Sequence, residues 1–117
     1  VHQKIYQQFI EKSLEFIAEY RLGDPMQEAT NLGPLISQAA AETVDRQVQA
    51  AVRAGAKILC GGKIRHIGAG FFYEPTLIVD VKQTMALMQE ENFAPILPII
   101  SVNSLAQAVE LVNDSAY

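Results

Sequence analysis

Tryptophan is absent from this chain, cysteine occurs once, at Cys60, and histidine twice, at His2 and His66. A closed zinc site takes a full set of cysteine or histidine ligands, so no metal centre is expected. A single thiol cannot close an internal disulfide, which points to a reducing, cytoplasm-like compartment. Cations are few: nine Lys and Arg stand against thirteen Asp and Glu, giving a net charge of −4, and they are scattered from Lys4 to Lys82. Nucleic acid would need a basic face, so it is not an expected partner. Long apolar runs are also missing. The longest, around Ile96 to Val102 and broken by Pro98, falls far short of the roughly 20 residues that span a bilayer, and no membrane partner is expected. No charged segment followed by an apolar stretch opens the chain as a signal peptide would.

What is present is 117 residues, half of them apolar, which suits one soluble domain with a modest core. The chain opens on Val1 instead of methionine, and Tyr117 directly follows a helix-like segment without a polar tail. The expectation is a piece cut from a longer chain.

From Lys4 to Tyr20, Tyr6, Ile10, Leu14 and Ile17 recur at three- and four-residue steps, the pattern of an amphipathic helix. "RLGDPMQEATNLGPLIS" is interrupted by Gly23, Pro25, Gly33 and Pro34 and reads as a long loop. Ser37 is placed to cap a second helix over 38–54, with Val44, Val48, Ala51 and Val52 on one face and Gly55 as its stop. "AKILC" suits a short buried strand, and the glycines at 61, 62, 68 and 70 predict a flexible turn region. Apolar residues at odd positions from Tyr73 to Val81 predict one strand with a wetter face. "PILPIISV" predicts a third strand in which Pro98 implies an edge, a bulge or an irregular start. Ser104 and Gln107 match a capping box, and Leu105, Ala108, Val109 and Val112 form the apolar stripe of a closing helix. Alternating helices and strands place the chain in the α/β class.

Most candidate chemistry fails on spacing. Lys63 follows Gly62 as in a phosphate loop, but the earlier glycine position holds Lys57, and Ile64 stands where a magnesium-binding hydroxyl belongs. "GAGFFY" lacks the third glycine of a dinucleotide fingerprint and leads into a strand, so it reads as a plain turn. Cys60 ends an apolar strand with no histidine or acid partner nearby in sequence, and a nucleophilic thiol needs an electropositive, accessible setting. The structural reading is preferred, and His66 reads as solvated surface. No Ser-His-Asp arrangement has support. The tripeptide Asn113-Asp114-Ser115 fits a glycosylation pattern too common to carry weight.

Glu90 and Glu91 are the exception. They lie in "MQEENFAPILP", ahead of an apolar run where ionised carboxylates are costly to bury without partners. In extended backbone, adjacent side chains point to opposite faces, so only one of the two can face a cleft. A carboxylate there can accept from both hydroxyls of a ribose, and Phe93 would offer a flat apolar surface to a ring attached to that sugar. A solvated acidic turn is the competing reading of the same residues.

"MQEENFAPILPI" resembles the E-E-x-F-G-P-x-x-P-x segment of NAD(P)-dependent aldehyde dehydrogenases, and "LGDPMQEATNLGPLIS" resembles their G-D-P…T-x-x-G-P-L-I loop. "AGAKILCGGK", "GFFYEPTLIVDV" and "AVELVNDSAY" resemble three further family segments, in order and at the right spacing, so the resemblance covers essentially all 117 residues. It implies that residues 1–117 are part of the catalytic domain, an open sheet with flanking helices, within an enzyme that oxidises an aldehyde with NAD or NADP. By the family pattern Glu91 would hydrogen-bond the ribose on the nicotinamide side and Phe93 would pack against that ribose and ring. Ala94 stands where the family normally has glycine, which alone reaches positive φ freely. The family's catalytic cysteine, general base and oxyanion-binding asparagine belong to segments upstream of a valine-histidine like Val1-His2, so no catalytic residue is assigned here, and the fragment alone is expected to be inactive. The resemblance further implies a homo-oligomeric whole enzyme acting on a small aldehyde. Two other readings are a degenerate, non-catalytic assembly module of the same fold and an acyl-CoA or acyl-phosphate reductase of the same superfamily.

Overall fold

The computed structural model describes residues 1–114. His2 caps a 3₁₀ turn at Gln3–Ile5, its Nδ1 accepting from the Lys4 N–H at 3.1 Å, and the turn runs directly into α1, Tyr6–Ile17. The predicted stripe is the face that α1 buries: Ile10 lies in a core cluster, with Tyr6, Leu14 and Ile17 packed against it. α1 stops at Ile17, short of the expected Tyr20. α2, Gln38–Arg53, starts where the Ser37 hydroxyl accepts from the Ala40 N–H at 3.1 Å, and it buries Ala41, Val44, Gln47, Val48 and Ala51.

Three strands form the main sheet in the order β1 (Lys57–Cys60), β4 (Thr76–Val79), β5 (Ile96–Pro98). β1 runs antiparallel to β4 and β5 parallel to it, with Leu77 opposite both Cys60 and Leu97. The parallel return passes through a one-turn helix, α3 (Ala86–Gln89). All four residues of β4 are buried. Leu77 and Val79 join Ile10 and Ile99 on one side, and Ile78 joins Val44, Val48, Ala51, Tyr73, Met85 and Leu87 on the other. The expected wetter face is thus corrected. The period of two is there, but each face of the strand is covered by its own helix layer.

The expected single strand from Tyr73 to Val81 is two strands. Tyr73 ends β3 (Gly70–Tyr73), Pro75 separates it from β4, and Asp80, at φ 58°, turns the chain out of the sheet. The turn region expected over 61–70 is largely a hairpin: β2 (Ile64–Ile67) pairs antiparallel with β3, Ile67 opposite Gly70. Only Gly68 and Ala69 form the loop, with Gly68 at φ 58° as such two-residue turns require. β2 is mostly exposed, so it carries no apolar alternation that would reveal it.

The third expected strand is shorter than drawn, with Pro98 on what is an edge of the sheet among the described residues. Beyond it the backbone pairs with the first residues of the chain: the Val1 amine donates to the Ile100 carbonyl at 2.7 Å, and the Val102 N–H to the Val1 carbonyl at 2.8 Å. α4, Leu105–Asn113, begins at Ser104, whose hydroxyl accepts from the Gln107 N–H at 3.1 Å. The returning bond of the capping box is shifted by one, since Gln107 Oε1 takes the Asn103 N–H at 2.8 Å. The apolar stripe expected on α4 is there, but most of it faces outward among the described residues. Leu105 and Val112 are exposed at 79 % and 77 %, while Ala108 and Leu111 turn inward. Polar bonds orient the helix instead, Gln83 Nε2 donating to the carbonyls of Leu111 at 3.0 Å and Asp114 at 2.8 Å. Residues 115–117, which end the "AVELVNDSAY" segment and the Asn113-Asp114-Ser115 tripeptide, lie outside the described residues.

One buried hydroxyl joins these pieces. Thr76, almost fully buried, donates through Oγ1 to the Glu74 carbonyl at 2.6 Å and accepts the Gly62 N–H at 2.8 Å. The adjacent Gly61, at φ 73°, lies so close to the Pro75 carbonyl that a Cβ would collide with it. Replacing Thr76 by the isosteric valine removes both bonds and leaves the buried Gly62 N–H without its acceptor, which should cost about 2 kcal/mol. Thermal denaturation of the Thr76→Val protein should show a lower midpoint, and an unchanged midpoint would contradict this bonding.

Candidate functional site

The "EENF" segment starts from a firm base. Met85 and Leu87 are buried in the larger core cluster, and α3 ends at Glu90, whose N–H donates to the Ala86 carbonyl at 2.8 Å. Glu90 is extended, at φ −102° and ψ 141°, so its side chain and that of Glu91 diverge. The Glu90 side chain goes to α2, where its Oε2 accepts from Gln47 Nε2 at 2.8 Å. Glu91 and Phe93 instead line a cleft of about 620 Å³. Its other walls include Leu35 and Ile36 from the loop before α2, and Ala40 and Thr43 from the first turns of that helix. Phe93 is 88 % exposed, its ring uncovered at the side of this apolar hollow.

The segment is pinned again after the cleft. The Pro95 carbonyl accepts the Thr76 N–H at 2.8 Å, which starts the pairing of β5 with β4. Ala94 lies between, partly buried against the larger core cluster. Among the described residues Asp80 is the only non-glycine with positive φ, so the backbone at Ala94 is one that alanine adopts without strain.

Gln47 is a residue that the sequence reading missed. It is 3 % exposed and lies on the buried face of α2, three residues after Val44 and four before Ala51. A glutamine at that step of an apolar stripe is the signal that could have found it. A carboxylate only accepts, so the Gln47 amide must turn its NH₂ toward Glu90. Its Oε1 is then buried with no partner among the described residues. Leaving such an acceptor unpaired costs about 1–3 kcal/mol, close to what a hydrogen bond to a charged group contributes. The pair therefore adds little net stability.

The other candidate residues stay apart from the cleft. Cys60 is half-buried against the α1 cluster, its thiol 3.9 Å from the Pro75 carbonyl. His66 is exposed on β2 and meets Phe71 edge-on, ring centroids 5.2 Å apart. Tyr73 donates to Asp45 Oδ1 at 3.2 Å, and burial together with the Asp45 charge pushes its phenol well above the usual range, so it stays a neutral donor. No three His, Cys, Asp or Glu side chains gather into a metal-holding group among the described residues. None of the described helices is long and apolar enough to cross a membrane.

The family model described as "Aldehyde dehydrogenase family" matches residues 1–117. The chain is 40 % identical over 118 residues to lactaldehyde dehydrogenase of Escherichia coli, with all of this chain and 24 % of that protein covered. It is 41 % identical over 121 residues to D-glyceraldehyde dehydrogenase (NADP(+)) of Picrophilus torridus, again covering all of this chain and 24 % of the relative. The crystal structure of the E. coli lactaldehyde dehydrogenase superposes with a TM-score of 0.92 at 40 % identity, covering 98 % of this chain and 24 % of that one. A 3,6-anhydro-L-galactose dehydrogenase solved in complex with NAP also matches, with a TM-score of 0.92, 35 % identity, and coverage of 98 % of this chain and 25 % of its own.

The chain belongs to the aldehyde dehydrogenase family. It spans about a quarter of the length of the curated relatives it matches, and its fold is the α/β arrangement of the corresponding part of those structures.

Ala94 allows a test of the local backbone. With φ outside the glycine region, Ala94→Gly only adds unfolded-state freedom and removes a packed methyl, and should lower stability by about 1 kcal/mol. A higher unfolding midpoint for Ala94→Gly would mean that the position needs glycine's conformations.

Proposed function

We propose that this chain is the part of an NAD(P)-dependent aldehyde dehydrogenase that positions the nicotinamide ribose, Glu91 accepting from the sugar hydroxyls and Phe93 packing against sugar and ring. The observation that carries the reading is the shared cleft. Glu91 and Phe93 stand on one side of a hollow of about 620 Å³, within the roughly 300–1,000 Å³ of small-molecule sites. Two acceptor oxygens suit vicinal hydroxyls, and an uncovered ring offers the flat apolar face that a sugar and aromatic ring would cover. These residues fit the group.

When bound, the dinucleotide supplies the hydride acceptor for aldehyde oxidation. The chain's own part is to hold and orient. Misplacing a reacting ring by about 1 Å can cost ~100-fold in rate, so the carboxylate and the aromatic wall serve rate by fixing position. The cleft walls from Leu35 to Val44 and the ring of Phe93 also keep bulk water from one side of the ligand. No residue of the chain takes the role of nucleophile, and the 117-residue piece alone should not turn over aldehyde. NAD and NADP both remain within the proposal: one relative carries NADP(+) in its name. A small aldehyde as substrate, a homo-oligomeric complete enzyme and a reducing, cytoplasm-like compartment complete the reading, the last resting on the single cysteine.

The test is a pair of substitutions in the complete enzyme. Glu91→Gln should impair dinucleotide binding or hydride transfer more than Glu90→Gln, which leaves an amide oxygen able to accept from Gln47. Steady-state kinetics and a primary deuterium isotope effect measure both, and equal effects would remove Glu91 from the ribose.

A further inference from the structure

We infer that Gln47 is a positioning residue for this cleft, holding Glu90 so that the segment behind it presents Glu91 and Phe93 at the correct distance from α2. The inference rests on the cofactor reading above and adds to it a residue outside the "EENF" segment.

Three observations carry it. Gln47 lies one turn beyond Thr43 on α2, and Thr43 lines the cleft. A single helix therefore forms one wall of the cleft and, through Gln47, grips the segment that forms the facing wall. The 2.8 Å bond from Gln47 Nε2 to Glu90 Oε2 spans 43 residues and fastens the last residue before Glu91. The extended backbone at Glu90 then sends the next side chain to the opposite side from Glu90, where Glu91 lines the cleft. Finally, the buried Oε1 of Gln47 has no partner among the described residues, so the pair gains little stability while fixing a geometry. The two adjacent glutamates thereby divide their tasks. Glu90 is the footing and Glu91 faces the ligand.

The experiment uses the complete enzyme with four variants: Gln47→Met, Gln47→Glu, Glu90→Gln, and the pair Gln47→Glu with Glu90→Gln. Unfolding midpoint, kcat, and KM for dinucleotide and for aldehyde are measured for each. Gln47→Met keeps the volume and deletes the donor, so the midpoint should hold while the dinucleotide KM rises roughly ten-fold, the worth of one charge-assisted hydrogen bond. Gln47→Glu sets two carboxylates face to face. Its dinucleotide KM should rise further at about pH 8 and recover toward about pH 5 as one of the pair takes a proton. The double variant restores one donor and one acceptor with their places exchanged, and should return most of the affinity without acid. An unchanged dinucleotide KM in Gln47→Met, losses that merely follow a lower midpoint, or no rescue in the double variant would each overturn the inference. Loss of function in Glu91→Gln alongside silent Gln47 variants would overturn the inference alone, whereas a silent Glu91→Gln would sink the cofactor reading and the inference together.

Discussion

A side chain can be held out toward a ligand only if the backbone beneath it cannot move, and the segment from Met85 to Ile96 meets that constraint at both ends. At one end Met85 and Leu87 are sunk in the larger core cluster. At the other the Pro95 carbonyl takes the N–H of Thr76 at 2.8 Å and begins the parallel pairing of β5. Thr76 is itself fixed, since its strand is buried on both faces and its hydroxyl is bound to Glu74 and Gly62. The double-sided burial of β4 thus reaches the cleft through a short chain of bonds. Between the two ends, Glu90 is tied sideways to α2 through Gln47.

The same constraint explains where stability is withheld. Burying a phenylalanine side chain is worth roughly 1.5–3 kcal/mol, yet Phe93 stands 88 % exposed beside apolar walls. A buried amide oxygen on Gln47 goes unpaired one turn away from the same cleft. Phe93 and Gln47 thus stand on facing elements beside one hollow, while other large apolar side chains such as Met26 and Leu105 are exposed away from it. Ala94, by contrast, breaks a family pattern without breaking a physical rule. Its methyl packs inward and its backbone needs no glycine.

Helices were the most legible feature of the sequence, because capping is local: Ser37 and Ser104 both cap as their neighbours imply, and the α1 stripe reaches the core. Strands were less so. The period of two from Tyr73 to Val81 could not distinguish a strand half in water from one buried on both sides by different helices, and Pro75 splits it in two. The hairpin of β2 and β3 was hidden because the exposed β2 carries no apolar alternation. For α4 the apolar spacing was real but its direction was not encoded locally: glutamines 83 and 107 and a turn of the helix leave Leu105 and Val112 outside. At the cleft, the divergence of Glu90 from Glu91 followed from strand geometry alone. The identity of Glu90's partner did not, since Gln47 lies 43 residues away and only the fold brings them together.

The most direct measurement is a crystal structure of the full-length protein with NAD or NADP bound. The Glu91 carboxylate should lie within hydrogen-bond distance of the hydroxyls of the nicotinamide-side ribose, with the ring of Phe93 covered by that sugar and ring and Glu90 still bonded to Gln47. A dinucleotide seated elsewhere, with Glu91 directed into bulk solvent and Phe93 uncovered, would contradict this placement.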